Sequence, residues 1–353
     1  LKNNIVEIEE AFKLKNTVFI DVRSPEEYID NRIIGAVSIP LFDDYERKIV
    51  GTLYKNEGKE NAIERGLEFV SAKLKDFYKE FCDVAMQHEN IVVYCARGGM
   101  RSRSVVDLMN SVGIKAKQLK GGYKAYRNYV MDYFADLKSD SRFIVLHGLT
   151  GVGKTEILDE LSDKGFSVLD LEGLAKNCGS VFGHICYEED PPSQKLFESL
   201  IFDKLYNSND KHIFVESESK RVGSVIVPQS IYEMIVSDDS AHILVEASEQ
   251  TRIERLVNQY VSLSLKDDTK LLECISYLKK RLSKEKIALL SQCVEEKDYD
   301  AVAKELIIEY YDPLYKYSIE KYKYDCKVDS DDMEELMECI GEYVEHLKGA
   351  CNE

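Results

Sequence analysis

Short runs of Val, Ile, Leu and Phe recur along the chain, separated by longer stretches in which apolar residues return every three or four positions. The runs are Thr17 to Asp21, Ile91 to Tyr94, Phe143 to His147, Phe166 to Asp170, Ile213 to Glu216 and His242 to Glu246. Buried parallel strands joined by helical crossovers require this alternation, so an α/β fold is expected. A polar stretch from Asp136 to Arg142 precedes a new strand, and two α/β units are expected, residues 1–138 and 139–250. After about Glu249 no further strand is expected. Leu256, Leu271, Leu282, Leu289, Leu306 and Ile319 fall at helical spacing, which predicts a helical region over 251–353, packed on the second unit and fraying at its acidic end.

With 353 residues, 44% of them hydrophobic, the chain is long enough for two cores. Its 47 basic and 64 acidic residues give a net charge of -17, which excludes a protein that coats nucleic acid through a global positive field. Nine cysteines without a Cys-x-x-Cys pair argue against a disulfide framework or a zinc ribbon and point to a reducing compartment. No apolar run approaches the ~20 residues of a transmembrane helix, and Leu1-Lys2-Asn3-Asn4 lacks a signal-peptide core. A soluble cytoplasmic protein with no membrane partner is expected.

The distribution of charge says more than its total. Between Cys95 and Arg127 stand Arg97, Arg101, Arg103, Lys115, Lys117, Lys120, Lys124 and Arg127 against one acid, Asp107, a local +7 that leaves -24 for the rest. A polyanion would meet the chain here, with Arg103, Lys117, Lys120, Lys124 and Arg127 as candidate phosphate contacts. Six tyrosines from Tyr310 to Tyr324 interleave with Lys316, Lys321 and Lys323, and Lys279, Lys280, Arg281, Lys284 and Lys286 form a second basic stretch. Tyrosines at helical spacing are read first as packing.

Two loops carry the candidate chemistry. The strand ending at Tyr94 delivers Cys95 into Ala96-Arg97-Gly98-Gly99-Met100-Arg101, ahead of a helix through Ser104 to Met109. A cysteine there lies under converging backbone N–H donors and the positive end of a helix dipole, which favours a thiolate, a persulfide, a perselenide or a bound oxyanion. Cys95, Arg97 and Arg101 are the candidate catalytic residues. Cys95 to Arg101 also has the Cys-x5-Arg spacing in which Arg clamps phosphate, so sulfur transfer and phosphate transfer both stay open. The second loop follows Phe143 to His147: Gly148-Leu149-Thr150-Gly151-Val152-Gly153-Lys154-Thr155 satisfies Gly-x4-Gly-Lys-Thr in strand-loop-helix context. Gly148, Gly151 and Gly153 allow the backbone to wrap phosphates, Lys154 neutralises them, and Thr155 is compatible with Mg²⁺. Asp170, Glu172, Glu216 and Arg221 are candidates for the second substrate or for the neighbourhood of a metal, but no protein-held metal site and no tightly bound cofactor are expected. ATP hydrolysis does not follow from the loop, since any diphosphate ester would fit it.

Phe19-Ile20-Asp21-Val22-Arg23-Ser24-Pro25-Glu26-Glu27-Tyr28, Gly35-Ala36-Val37-Ser38-Ile39-Pro40 and the Cys95 loop together resemble the rhodanese domain, from Val6 to Met131. The resemblance departs at Asn31-Arg32, where Gly-His is usual, and at Ile34 in place of a proline, a change expected to affect only a surface turn. Adding the phosphate loop, Val50-Gly51-Thr52-Leu53-Tyr54-Lys55, Leu169-Asp170-Leu171-Glu172-Gly173-Leu174-Ala175, Val215-Glu216-Ser217-Glu218-Ser219-Lys220-Arg221-Val222-Gly223 and Tyr310-Tyr311-Asp312-Pro313-Leu314-Tyr315, the whole chain resembles the tRNA 2-selenouridine synthase family. That resemblance implies a P-loop NTPase-like second domain and a transferase acting on the wobble uridine of tRNA. It implies selenophosphate and geranyl diphosphate as co-substrates, an S-geranyl-2-thiouridine intermediate, and a selenophosphate-producing enzyme as a further partner. It makes Cys95 the essential rhodanese cysteine and Gly148 to Thr155 the diphosphate site. The competing reading is a sulfurtransferase or Cys-x5-Arg phosphatase fused to a small-molecule kinase.

Overall fold

The two apolar runs of the N-terminal third become neighbouring strands of one parallel sheet. Along the chain the elements are β1 (Ile5–Val6), α1 (Ile8–Lys13), β2 (Thr17–Asp21), α2 (Pro25–Asp30), β3 (Val37–Ser38), α3 (Asp44–Asn56), α4 (Lys59–Gln87), β4 (Asn90–Tyr94), α5 (Met100–Ser111), β5 (Ala116–Leu119) and α6 (Gly122–Asp136). They lie in a compact unit of Leu1–Asp136 with Glu198–Asp203. The computed structural model describes residues 4–137, 142–177, 187, 189–208, 210–264 and 268–350. The first sheet runs β1-β5-β4-β2-β3, every pair parallel, with Val92 of β4 opposite Phe19 of β2 on one side and Lys117 of β5 on the other. Ile20, Val93, Val105, Met109, Phe77 and Phe81 form the core on one face. Helix starts follow local chemistry: Ser24 and Glu27 form a capping box around α2, with Pro25 in the first turn, and Asp43 and Glu46 do the same for α3.

The second unit, Leu137–Phe197 with Lys204–Glu353, continues with β6 (Arg142–His147), α7 (Lys154–Asp163), β7 (Val168–Leu169), α8 (Leu171–Ala175), α9 (Gln194–Tyr206, of which Glu198–Asp203 belongs to the first unit), β8 (His212–Glu216), β9 (Arg221–Val222), β10 (Val225–Ile226), α10 (Gln229–Ile235) and β11 (Ala241–Glu246). Then come α11 (Glu249–Ser264), α12 (Asp268–Tyr277), α13 (Lys284–Glu295), α14 (Tyr299–Leu306), a π-helical turn at Ile307–Tyr311, α15 (Asp312–Ile319), β12 (Cys326–Asp329) and α16 (Met333–Ala350). The sheet order is β12-β11-β6-β8-β7, again all parallel, and β6 is its central strand.

The region after Glu249 is not wholly helical. Cys326–Asp329 pairs with Ile243–Glu246 as an edge strand. Its sequence, Cys-Lys-Val-Asp, buries only Val328, so it lacks the apolar run that marks a central strand. The acidic end is not frayed over 333–350 either: Leu336, Met337, Ile340 and Val344 of α16 enter the core with Leu146, Ile157 and Ile243, while residues 351–353 lie outside the described set. Helices α11 to α14 close a core of their own through Leu256, Ile275, Leu290, Val302 and Leu306. The strand expected over Phe166 to Asp170 shortens to Val168–Leu169, because Asp170 leaves the sheet to cap α8, its Oδ1 accepting from Gly173 N at 2.7 Å. Among the described residues no helix is long and apolar enough to cross a membrane.

Candidate active sites at two strand ends

In parallel α/β sheets, side chains at the carboxyl ends of central strands face the loops that bind ligand. Cys95 follows β4 and Gly148 follows β6, each the middle strand of its sheet. The two sites belong to different units.

The loop after Cys95 closes tightly on the turn between β5 and α6. Tyr123 N donates to Cys95 O at 2.9 Å and Lys124 N to Ala96 O at 3.1 Å. Gly122, at φ +61°, admits this approach, since a Cβ there would stand 2.1 Å from Cys95 O. Cys95 has only 3% of its surface exposed, so the loop covers it. Its Sγ accepts from Gly99 N at 3.3 Å and lies 3.2 Å from Ser102 Oγ. Burial pushes the thiol up, but the Ser102 hydroxyl and amide, the Arg101 charge and the Gly99 amide outweigh it and hold Cys95 below the ordinary thiol range. Gln118 locks this arrangement, its Nε2 donating to Gly98 O, Gly99 O and Ser102 Oγ at 2.9, 3.1 and 2.9 Å.

The arginines divide. Arg97 is exposed, whereas Arg101 Nη1 donates to Glu27 Oε2 at 2.8 Å. Arg23, from the Asp-x-Arg element, is buried and forks onto Asp21, with Nη2 to Oδ2 at 2.6 Å, while Nη1 reaches Asn31 Oδ1 at 2.9 Å. Its guanidinium lies 4.4 Å from the Tyr123 ring centroid. Asn31 is therefore a buried partner of Arg23 and not part of a surface turn, because its amide and carbonyl satisfy donors that Asp21 leaves over. Of the candidate phosphate contacts, Arg103 and Lys124 are exposed and Lys117 is half-buried. Lys120 pairs with Glu7 on the surface, and Arg127 pairs with Glu198 in a largely buried setting.

At the second site Gly148, Gly151 and Gly153 all have positive φ, and α7 begins at Lys154. Lys154 Nζ donates to Gly148 O at 3.1 Å, and Thr155 is exposed at the helix start. Glu216, at the end of the strand beside β6, is fully buried. Its Oε1 accepts from Glu172 N at 2.7 Å, while Oε2 finds no hydrogen-bond partner among the described residues. Burial raises the Glu216 carboxyl well above its usual range, with Asp170, Glu172 and Glu218 adding repulsion. Burial likewise raises Asp170, against the pull of the Gly173 amide. Burial also raises Glu218, against the pull of Lys154. Among the described residues no three His, Cys, Asp or Glu side chains form a metal-holding group. Arg221 is exposed on β9, in the β9–β10 ladder.

Sequence reasoning missed the residues behind both loops. Ser102 and Gln118 at the first, and Arg252, Arg255 and Ser330 at the second, leave only faint traces in sequence: a Gln in a short strand, and two arginines three apart on an amphipathic helix. In the tyrosine-rich stretch Tyr311 is buried in the helical core, and Tyr322 and Tyr324 lie tilted and edge-on against His147, as packing predicts, whereas Tyr317 is exposed. In the Lys279 to Lys286 stretch, Lys286 pairs with Glu305.

A family model described as the tRNA 2-selenouridine synthase AAA domain matches residues 141–347, and one described as a rhodanese-like domain matches residues 5–129. A tRNA 2-selenouridine synthase from Pseudomonas syringae pv. tomato is 32% identical over 339 residues, 88% of this chain and 90% of that protein. One from Sulfurovum sp. is 32% identical over 336 residues, 87% of this chain and 90% of that protein. Among solved structures, an N-terminal domain from Clostridium difficile 630 shares 50% sequence identity, covering 36% of this chain and 98% of that one, with a TM-score of 0.36. With both domain types in order and relatives matched along almost their full lengths, the chain belongs to the tRNA 2-selenouridine synthase family.

Proposed function

We propose that this enzyme converts 2-thiouridine at the tRNA wobble position to 2-selenouridine in two steps, one at each loop. In the first, geranyl diphosphate lies in the Gly148 to Thr155 loop and the thione sulfur attacks its C1. The C1–O bond breaks, diphosphate leaves against the loop amides and Lys154, and the N3 proton passes to water, leaving neutral S-geranyl-2-thiouridine. In the second, selenium of selenophosphate attacks C2, the C2–S bond breaks and geranylthiolate leaves. Water then takes the phosphoryl group from selenium as phosphate.

Cys95 and Arg97 act in the second step, where the Gly99 amide and Ser102 favour negative charge on a chalcogen. Arg101 supports Cys95 through its charge. In this reading residues 1–138 serve the selenium step, 139–250 the diphosphate step, and 251–353 support the phosphate loop. Asp170, Glu172, Glu216 and Arg221 serve the tRNA side of the diphosphate site, and any Mg²⁺ would arrive with the diphosphate oxygens. The setting is the cytoplasm, with the selenophosphate-producing enzyme as a partner. The observation that carries the reading is the presence in one chain of a thiol held under the Gly99 amide and the Ser102 hydroxyl and a glycine loop that opens a helix at Lys154.

The test is mass spectrometry of nucleosides from 2-thiouridine tRNA and from S-geranylated tRNA, each treated with Cys95→Ser and Lys154→Ala proteins. Lys154→Ala should lose geranyl transfer yet convert the geranylated tRNA, and Cys95→Ser should form selenouridine from neither tRNA while still geranylating the 2-thiouridine one. Failure of a folded, tRNA-binding Lys154→Ala protein on geranylated tRNA would assign the loop to the selenium step as well.

A further inference from the structure

The outer side of the phosphate loop is fastened by two residues from later in the chain. Arg252 Nε donates to Thr150 O at 2.8 Å, and Ser330 Oγ donates to Val152 O at 2.7 Å. In a trans peptide the carbonyl and the following N–H point in opposite directions. Holding the carbonyls of Thr150 and Val152 outward therefore turns the N–H groups of Gly151 and Gly153 inward, where an anion would lie. The glycines permit this closeness, since a Cβ on Gly151 would stand 2.9 Å from Arg252 O and one on Gly153 would stand 2.9 Å from Arg255 Cζ.

Arg252 is itself held. It is 5% exposed, and its Nη1 and Nη2 fork onto Asp312 at 3.1 and 2.5 Å. Asp312 directly follows the π-helical turn Ile307–Tyr311, an interruption of regular helix of the kind that re-aims side chains. Arg255 acts in parallel on Ser330, through Nη1 to Oγ at 3.1 Å and Nη2 to O at 2.8 Å.

We infer that Arg252, oriented by Asp312, is a positioning residue that preorganises the phosphate loop for its diphosphate. The guanidinium is committed to Thr150 O and Asp312, so it acts through the direction of loop amides and not by touching the ligand. The inference rests on the diphosphate reading of this loop and deepens it, giving the Tyr-Tyr-Asp-Pro segment a task at the site. It also explains why α11 and α15 accompany a phosphate loop they do not contain.

The experiment measures inorganic pyrophosphate binding to the full chain by titration calorimetry, with thermal melting followed by circular dichroism and Cys95 alkylation as controls. Losing a charged hydrogen bond that orients the site should cost Arg252→Ala about tenfold or more in affinity. Asp312→Asn should lose less, and should cause no further loss when added to Arg252→Ala, since it acts through Arg252. Arg252→Lys, which keeps one donor, should restore part of the affinity. Additive losses in the double variant, or native affinity in a folded Arg252→Ala protein, would overturn the inference while leaving the diphosphate reading intact. If Arg252→Ala does not fold, native affinity in both Arg252→Lys and Asp312→Asn does the same. No pyrophosphate binding by the unsubstituted protein would overturn both.

Discussion

Arg101 Nη1 donates to Glu27 Oε2 at 2.8 Å, which ties the arginine of the Cys-x5-Arg spacing to the first turn of α2. A phosphatase needs that guanidinium free to clamp a phosphate bidentately. The protein should therefore show no turnover of an aryl phosphate above that of its Cys95→Ser variant, measured by phenol release. Sustained Cys95-dependent turnover would restore the phosphatase reading.

Glu27 also neutralises Arg101 in front of the thiol. Burial would raise its carboxyl, but the hydrogen bond and charge of Arg101, the Ser24 amide and Arg47 hold it below the usual carboxylate range. With a depressed folded pKa, this support is present above the unfolded value of 4.5 and is lost as pH falls through the folded one. Glu27→Gln should leave the Arg101 field uncompensated and shift the alkylation profile of Cys95 to lower pH.

Ser102 should matter in the opposite sense. Because Cys95 lies below the ordinary thiol range, its alkylation should reach half-maximum at lower pH than that of a free cysteine. Ser102→Ala removes the hydroxyl and should move the midpoint upward, as should Gln118→Leu, which frees Ser102 to turn. An unchanged profile in Ser102→Ala would show that the loop amides alone set the thiol.

Arg23 and Asp21 form a buried pair at 3% and 0% exposure. Arg23→Ala strands the Asp21 carboxylate and should cost about 3–5 kcal/mol of stability, whereas Asn31→Ala should cost about 1–3 kcal/mol. Urea unfolding of both variants checks the ranking.

His147 Nε2 lies 2.8 Å from His242 Nδ1 in a buried pair beneath Tyr322. Burial, with His242 and Lys154 adding to it, lowers His147 from 6.5 to about 3. The unfolded chain binds this proton first, so stability should be lost as pH falls below 6.5 toward about 3. His147→Gln should flatten the acid side of the stability profile, read from urea midpoints between those two pH values.

Lys124 is exposed and Lys120, among the described residues, pairs with Glu7 on the surface. Surface pairs of this kind are weak, so both lysines remain available to a polyanion. Reversing both to Glu should weaken tRNA binding and reduce its salt slope by about 0.9 for each phosphate that is no longer neutralised. An unchanged slope would place the tRNA-binding surface elsewhere, with the Lys279 to Lys284 stretch the next to test.

The sequence by itself determined the α/β class, the strands that precede both loops, and the start of α7 at the phosphate loop. Buried parallel strands must be apolar throughout, and a phosphate loop must place glycine where φ is positive, so these features are written locally. Edge strand β12 and the packing of the C-terminal helix were not legible, because a half-exposed edge needs only Val328 and the acidic residues of α16 mask its spaced Leu336, Ile340 and Val344. The partners of the functional side chains were decided only by tertiary structure. Arg101 looks free in sequence and is held by Glu27, Asn31 reads as a turn residue and completes Arg23, and Arg252 and Ser330 come to the phosphate loop from 102 and 178 residues away. Hydrogen-bond satisfaction of buried groups depends on what the fold brings within 3 Å or so, and local sequence carries almost no record of it.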